Sequence, residues 1–138
     1  MTEASTSSEN PTVGIVLISH SRAIAEGAAD VAAQVSAGAV QIVGVGGTED
    51  GRLGTSLEAL VGAVEKVSAG AGVLILPDLG SAVLTAKAYL ADQDGTDVML
   101  ADAPFVEGAV AAAVTASGGA TLAEVVAAAE GARDVRKL

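Results

Sequence analysis

Apolar residues in this chain follow two alternating patterns. Short, mainly apolar runs at 13–18, 40–45, 73–76 and 98–101 are separated by longer stretches in which apolar positions recur every three or four residues. The runs read as buried strands and the stretches as amphipathic helices. Ile24, Ala28, Val31 and Val35 predict the buried face of a first helix, with Gly38 as its C-terminal cap. Leu57, Leu60, Val61 and Val64 predict the face of a second, opened by Thr55 as N-cap with Glu58 three residues on. A third spans roughly 82–91. A fourth follows Pro104 with Val106, Val110, Ala113 and Val114 on one face, and Gly118-Gly119 ends it. Thr121 and Glu124 form a capping box for a last helix to about Ala129.

Strands alternating with helices predict an α/β fold: a three-layer parallel sheet with right-handed crossovers and helices on both faces. The expected strand order is 2-1-3-4, with room for an extra edge strand. Residues 1–12 are Ser-, Thr- and Glu-rich and read as a disordered leader. Residues 13–130 form a single domain, and 131–138 a charged tail expected to fray.

Composition narrows the function. The formal net charge of -10 argues against nucleic acid and against anionic membrane surfaces. With no cysteine, disulfides, thiol catalysis and zinc–thiolate sites are excluded. No apolar stretch approaches the ~20 residues of a membrane span, and the N-terminus lacks the apolar core of a secretory signal. A cytoplasmic protein is expected. Aromatic residues are only 1% of the chain, so the core must be built from Val, Ala, Leu and Ile.

The candidate chemistry lies where strands end. His20, the only histidine, follows the first run as Ser19-His20-Ser21-Arg22. Asp78-Leu79-Gly80-Ser81 follows the third run, and Asp102-Ala103-Pro104 the fourth. In the order 2-1-3-4, the first and third strands are neighbours at the point where the winding reverses, the usual place for a ligand. His20 and Asp78 would then face each other. A carboxylate on one ring nitrogen fixes the tautomer, leaves the other nitrogen free to attack, and stabilises positive charge on the ring. The helices starting after His20 and at Gly80-Ser81 would aim N–H groups at the same space, a fitting site for a phosphoryl group. Taken singly, each residue also has a plain structural reading: a turn or cap for Asp78, Thr55 and Gly80-Ser81, a surface charge for Arg22 and a solvated loop for Glu49-Asp50.

These residues resemble a known family. Val16-Leu17-Ile18-Ser19-His20-Ser21, Leu53-Gly54-Thr55, Asp78-Leu79-Gly80-Ser81-Ala82 and Ala103-Pro104-Phe105-Val106-Glu107-Gly108 together resemble the phosphotransfer subunit of the phosphoenolpyruvate-dependent dihydroxyacetone kinase, which begins with a mannose-type enzyme IIA domain. The likeness runs from about Val13 to Val126. It implies the mannose-type enzyme IIA fold, and a phosphotransferase in which His20 accepts a phosphoryl group from the carrier protein HPr. His20 would pass that group to ADP on the nucleotide-binding subunit of the kinase, whose dihydroxyacetone-binding subunit then uses the regenerated ATP. It further implies Asp78 as the histidine-orienting residue, with Ser21, Arg22, Thr55, Gly80 and Ser81 supporting the phosphoryl site. A homodimer is implied, with no permanently bound cofactor and no metal. HPr-like and enzyme-I-like domains, fused downstream in some members, would be separate proteins here.

Three alternatives stay open. One is a sugar-specific mannose-type enzyme IIA with a transporter domain as acceptor. Another is a flavodoxin- or receiver-like binding module. A tetrapyrrole metal chelatase would share a histidine after the first strand but would want a second histidine.

Overall fold

Four parallel strands run in the order β2-β1-β3-β4. They are β1 (Gly14–Ser19), β2 (Ile42–Gly46), β3 (Val73–Pro77) and β4 (Val98–Leu100). The helices are α1 (Arg22–Val35), α2 (Leu57–Val67), α3 (Gly80–Ala91), α4 (Phe105–Ser117) and α5 (Leu122–Gly131), followed by a 3-10 turn, Ala132–Asp134. The computed structural model describes residues 11–48, 52, 54–93, 95 and 97–138. Most of the expected leader lies outside the described residues, as do Glu49, Asp50 and Leu53. No helix among the described residues is long and apolar enough to cross a membrane.

The sheet separates two apolar layers because strand side chains alternate between its faces. Ile15 and Leu17 of β1 join Leu74 and Leu76 of β3 beneath α1, α4 and α5. Val16 and Ile18 join Val73 and Ile75 beneath α2 and α3. The register makes this possible: Ile15 pairs with Leu74 and Leu17 with Leu76. Strand β1 is buried along its whole length.

The strand order agrees with expectation, but the buried faces of three helices differ from it. In α1 the buried residues are Ala25, Ala28, Ala29 and Ala32, while Ile24, Val31 and Val35 are about half exposed, at 53%, 48% and 50%. In α2, Leu57 and Val61 point outward and Leu60, Ala63, Val64 and Val67 inward. In α4, Val106 and Val114 are exposed while Ala109, Ala112, Ala113 and Ala116 are fully buried. The alanines of α1 share the three-four spacing of the larger residues, so periodicity alone cannot choose between the stripes. Steric clearance chooses. A Cβ on Gly44 of β2 would lie 2.4 Å from the Ala25 carbonyl oxygen. A helix riding that close to a sheet admits only small side chains beneath it.

Two caps also differ. Ser56, not Thr55, caps α2, accepting the Ala59 N–H at 3.2 Å. The Thr55 hydroxyl instead meets that of Thr85 on α3 at 2.6 Å. At the end of α1, Gly38 N–H reaches the Ala33 carbonyl and Ala37 N–H the Gln34 carbonyl, the two bonds of a Schellman motif. The left-handed position falls on Ala37, with φ 55°, in addition to Gly38 at 74°. The capping box of Thr121 and Glu124 forms as expected.

The C-terminal stretch is tied back at two points. Arg133 binds the Asp102 carbonyl and, at 3.2 Å, its carboxylate. Lys137 meets Glu107 at 2.6 Å and holds its carboxyl below the usual range, chiefly by hydrogen bonding.

The left-handed alanine generates a prediction. Ala37→Gly should raise the unfolding free energy by roughly 0.5–1 kcal/mol, since Cβ strain at a positive φ outweighs the extra freedom of glycine in the unfolded chain. Urea denaturation measures this, and a lowered midpoint would refute it.

Candidate active site at the carboxyl edge of the sheet

The reversal between β1 and β3 brings two chain segments side by side. Ile18 pairs with Pro77, and one residue later the Asp78 N–H donates to the Ile18 carbonyl at 3.1 Å. His20 and Asp78, each one residue past the end of its strand, therefore leave the sheet together. His20 Nδ1 lies 3.5 Å from Asp78 Oδ1. That is within ionic reach but longer than a hydrogen bond, and Nδ1 is buried with no hydrogen-bond partner. The His20 side chain as a whole is 32% exposed. That exposure therefore lies on the rest of the side chain, away from Nδ1.

Asp78 is itself firmly held. Its Oδ1 accepts the Leu79 N–H at 2.6 Å. Its Oδ2 accepts the Ser19 hydroxyl at 2.7 Å. Only 10% of its side chain is exposed, and the bond from the fully buried Ser19 is the more sheltered of the two.

The His20 backbone is positioned by the loop after β2. Its carbonyl accepts N–H groups from Gly47 at 3.1 Å and Gly54 at 2.9 Å. Both donors have positive φ, 75° and 137°, which glycine adopts without strain. Gly46 is needed for clearance: a Cβ there would stand 2.6 Å from the Ser21 carbonyl oxygen. The sequence here matches no phosphate-loop motif, and Gly47 and Gly54 serve to seat the histidine turn.

Two helix N-termini open at this edge. Ser21 caps α1 through Ile24 N–H at 3.3 Å, and Arg22 begins the helix, exposed. For α3 the N-cap is Leu79, which supplies no side-chain bond. Gly80 and Ser81 form its first turn, and the Ser81 hydroxyl is buried without a partner. Thr55 approaches from the third side, its hydroxyl 3.4 Å from the Ser81 carbonyl. Among the described residues, His20, Ser21, Arg22, Thr55, Asp78, Gly80 and Ser81 thus lie in the segments that follow β1, β2 and β3, at the carboxyl edge of the sheet. Ser19 and Gly54 stand in the motifs quoted from the sequence, but neither they nor Gly46 and Gly47 were assigned a role there. The available signal was a serine ending a wholly apolar strand, since a buried hydroxyl must find partners.

The arrangement suits group transfer at a surface. It offers a partly exposed imidazole, a carboxylate beside its buried nitrogen, and helix N–H groups suited to an anion. A cleft of about 360 Å³ beside it is lined by Asp78, Lys87 and Asp102 but not by His20. Among the described residues, no three His, Cys, Asp or Glu side chains cluster as metal ligands.

Residues 14–126 match the family described as the PTS system fructose IIA component. Curated relatives include the phosphoryl donor subunit DhaM of the PEP-dependent dihydroxyacetone kinase of Providencia stuartii, 36% identical over 120 residues. That match covers 83% of this chain and 25% of the relative. The corresponding subunit of dihydroxyacetone kinase 2 from Listeria innocua is 38% identical over 106 residues, covering 74% of this chain and 84% of the relative. The chain thus spans about a quarter of the Providencia protein's length and most of the Listeria one. A crystal structure described as the unknown function protein EF1359 superimposes with a TM-score of 0.77 at 33% identity, covering 86% of this chain and 93% of that one. A sigma-54 interaction domain protein from Enterococcus faecalis gives 0.71 at 18% identity, covering 91% and 93%, and shares the fold.

The glycine clearance makes a prediction about this edge. Gly46→Ala should destabilise the protein by about 1–3 kcal/mol through overpacking and displace the His20 turn. Denaturation and the NMR signals of the single histidine ring report both. Unchanged ring signals would show that the loop yields instead of the turn.

Proposed function

The chain belongs to the PTS fructose IIA component family, and from that premise we propose that it is a phosphocarrier working through His20. The phosphoryl group comes from phospho-HPr and goes to ADP held on the nucleotide-binding subunit of dihydroxyacetone kinase, whose dihydroxyacetone-binding subunit spends the resulting ATP. The names of the relatives support this reading. The observation that carries it is the setting of the His20 side chain, partly exposed as a whole but with Nδ1 buried beside Asp78.

The step follows from that geometry. The Nε2 lone pair attacks phosphorus in line while the nitrogen–phosphorus bond to HPr breaks. No water or proton is consumed if Nδ1 already carries the ring proton. The product ring is cationic, and the Asp78 carboxylate, 3.5 Å from Nδ1, stabilises it. Catalysis here is mainly positioning and charge stabilisation. The incoming oxygens are received by the first-turn N–H groups of α3 at Gly80 and Ser81, by the unpaired Ser81 hydroxyl and by the guanidinium of Arg22. Ser21 orients α1. Thr55, tied to Thr85 and the Ser81 carbonyl, holds the α3 turn in place. The reverse sequence discharges the group to ADP. The proposed carrier works in the cytoplasm as a homodimer, and both partners meet His20 at an open surface by brief contacts.

Incubation with phosphoenolpyruvate, enzyme I and HPr should add one acid-labile phosphoryl group to the wild type and none to His20→Ala, read by intact mass. An adduct on the variant would remove His20 from the mechanism. Asp78→Ala should slow phosphorylation by about a hundredfold, as expected for loss of a histidine-orienting carboxylate; an undiminished rate would leave Asp78 a turn residue. Discharge by ADP with the nucleotide-binding kinase subunit, and not by a sugar transporter's IIB domain, identifies the acceptor; the opposite preference would make the chain a sugar-specific enzyme IIA.

A further inference from the structure

Ser19 is fully buried, and its hydroxyl has two partners. It lies 2.7 Å from Asp78 Oδ2 and 3.0 Å from the backbone nitrogen of Ser21. The direction of each bond follows from the inventory of donors. An ionised carboxylate only accepts, and a backbone N–H only donates. The relay therefore runs from Ser21 N–H to Ser19 Oγ, and from Ser19 O–H to Asp78 Oδ2. Each bond polarises the next in the same sense.

Without Ser19, the Asp78 carboxylate keeps one anchor, the Leu79 N–H on Oδ1. A carboxylate held at one oxygen still turns about its own axis. With both oxygens held, its plane is fixed and Oδ1 stays turned toward His20 Nδ1. The same hydroxyl ties down Ser21, the residue that caps α1 directly after the histidine. One atom thus links the carboxylate, the histidine turn and the helix N-terminus.

We propose that Ser19 is a positioning residue that, through Asp78, holds the His20 ring in the tautomer with its proton on Nδ1, leaving the Nε2 lone pair free as nucleophile. Its catalytic consequence rests on the phosphocarrier reading; the tautomer does not, because it exists in the unphosphorylated protein. Nothing is consumed in this role: Ser19 keeps its proton, Asp78 stays ionised, and the ring proton remains on Nδ1 throughout transfer.

The single histidine makes the test direct. Nitrogen-15 NMR of the imidazole, at a pH where the ring is neutral, should show the Nδ1–H form predominating in the wild type. Ser19→Ala should move the population toward the Nε2–H form that solvent favours, and should slow phosphorylation by phospho-HPr about tenfold, the scale expected when a supporting hydrogen bond to a reactive group is lost. Ser19→Thr, which retains the hydroxyl, should restore both. Asp78→Asn, which removes the ionised carboxylate but leaves Ser19 in place, should produce the same tautomer shift as Ser19→Ala if the serine acts through the aspartate. An unchanged tautomer population in a folded Ser19→Ala variant overturns the proposal and makes the hydroxyl a packing group. A slower rate with an unchanged tautomer overturns it equally. A wild type that takes no phosphoryl group would sink the carrier reading alone, and the tautomer shift would still decide the role of Ser19.

Discussion

The parallel pairing of β1 with β3 is the constraint on which the site depends. It aligns Ile18 with Pro77 and lets the Asp78 N–H close the ladder on the Ile18 carbonyl. One residue of slippage would turn every side chain of the strand to the other face. Ile15 and Leu17 would exchange layers with Val16 and Ile18, and Ser19 would no longer meet Asp78. The register that fills two apolar layers is thus the same register that sets the imidazole against the carboxylate. Stability and chemistry are fixed by one alignment.

Small residues then bring the helices close enough to complete the site. Gly44 and Gly46 leave no side chain between β2 and the start of α1, and alanines line the buried face of that helix. The closeness keeps Ser21 and the histidine turn pressed onto the end of the sheet, where Gly47 and Gly54 hold the His20 carbonyl. Larger aliphatic residues are displaced outward, which leaves Ile24, Val31 and Val35 half exposed on α1.

Much of this was legible from the chain. The alternation of apolar runs with helical periodicity specifies a parallel α/β sheet because a strand buried on both faces cannot tolerate polar positions. The candidate residues could be located at strand ends for the same reason: polar side chains are excluded from the strands and gather where these stop. The capping box at Thr121 and Glu124 was equally readable, being complete within four residues.

What the sequence determined by itself was whatever short-range pattern suffices to specify: the strands, the helices and the single histidine beyond the first strand. Tertiary structure decided what depends on clearance between elements. It chose the alanine stripe of α1 over Ile24, Val31 and Val35, since both stripes have helical spacing and only the distance to Gly44 separates them. It moved the cap of α2 from Thr55 to Ser56, since the Thr55 hydroxyl finds Thr85 on the neighbouring helix. And it joined Ser19 to Asp78, 59 positions away in sequence, because a hydroxyl at the end of a buried strand must take its partner from whichever segment the sheet lays beside it.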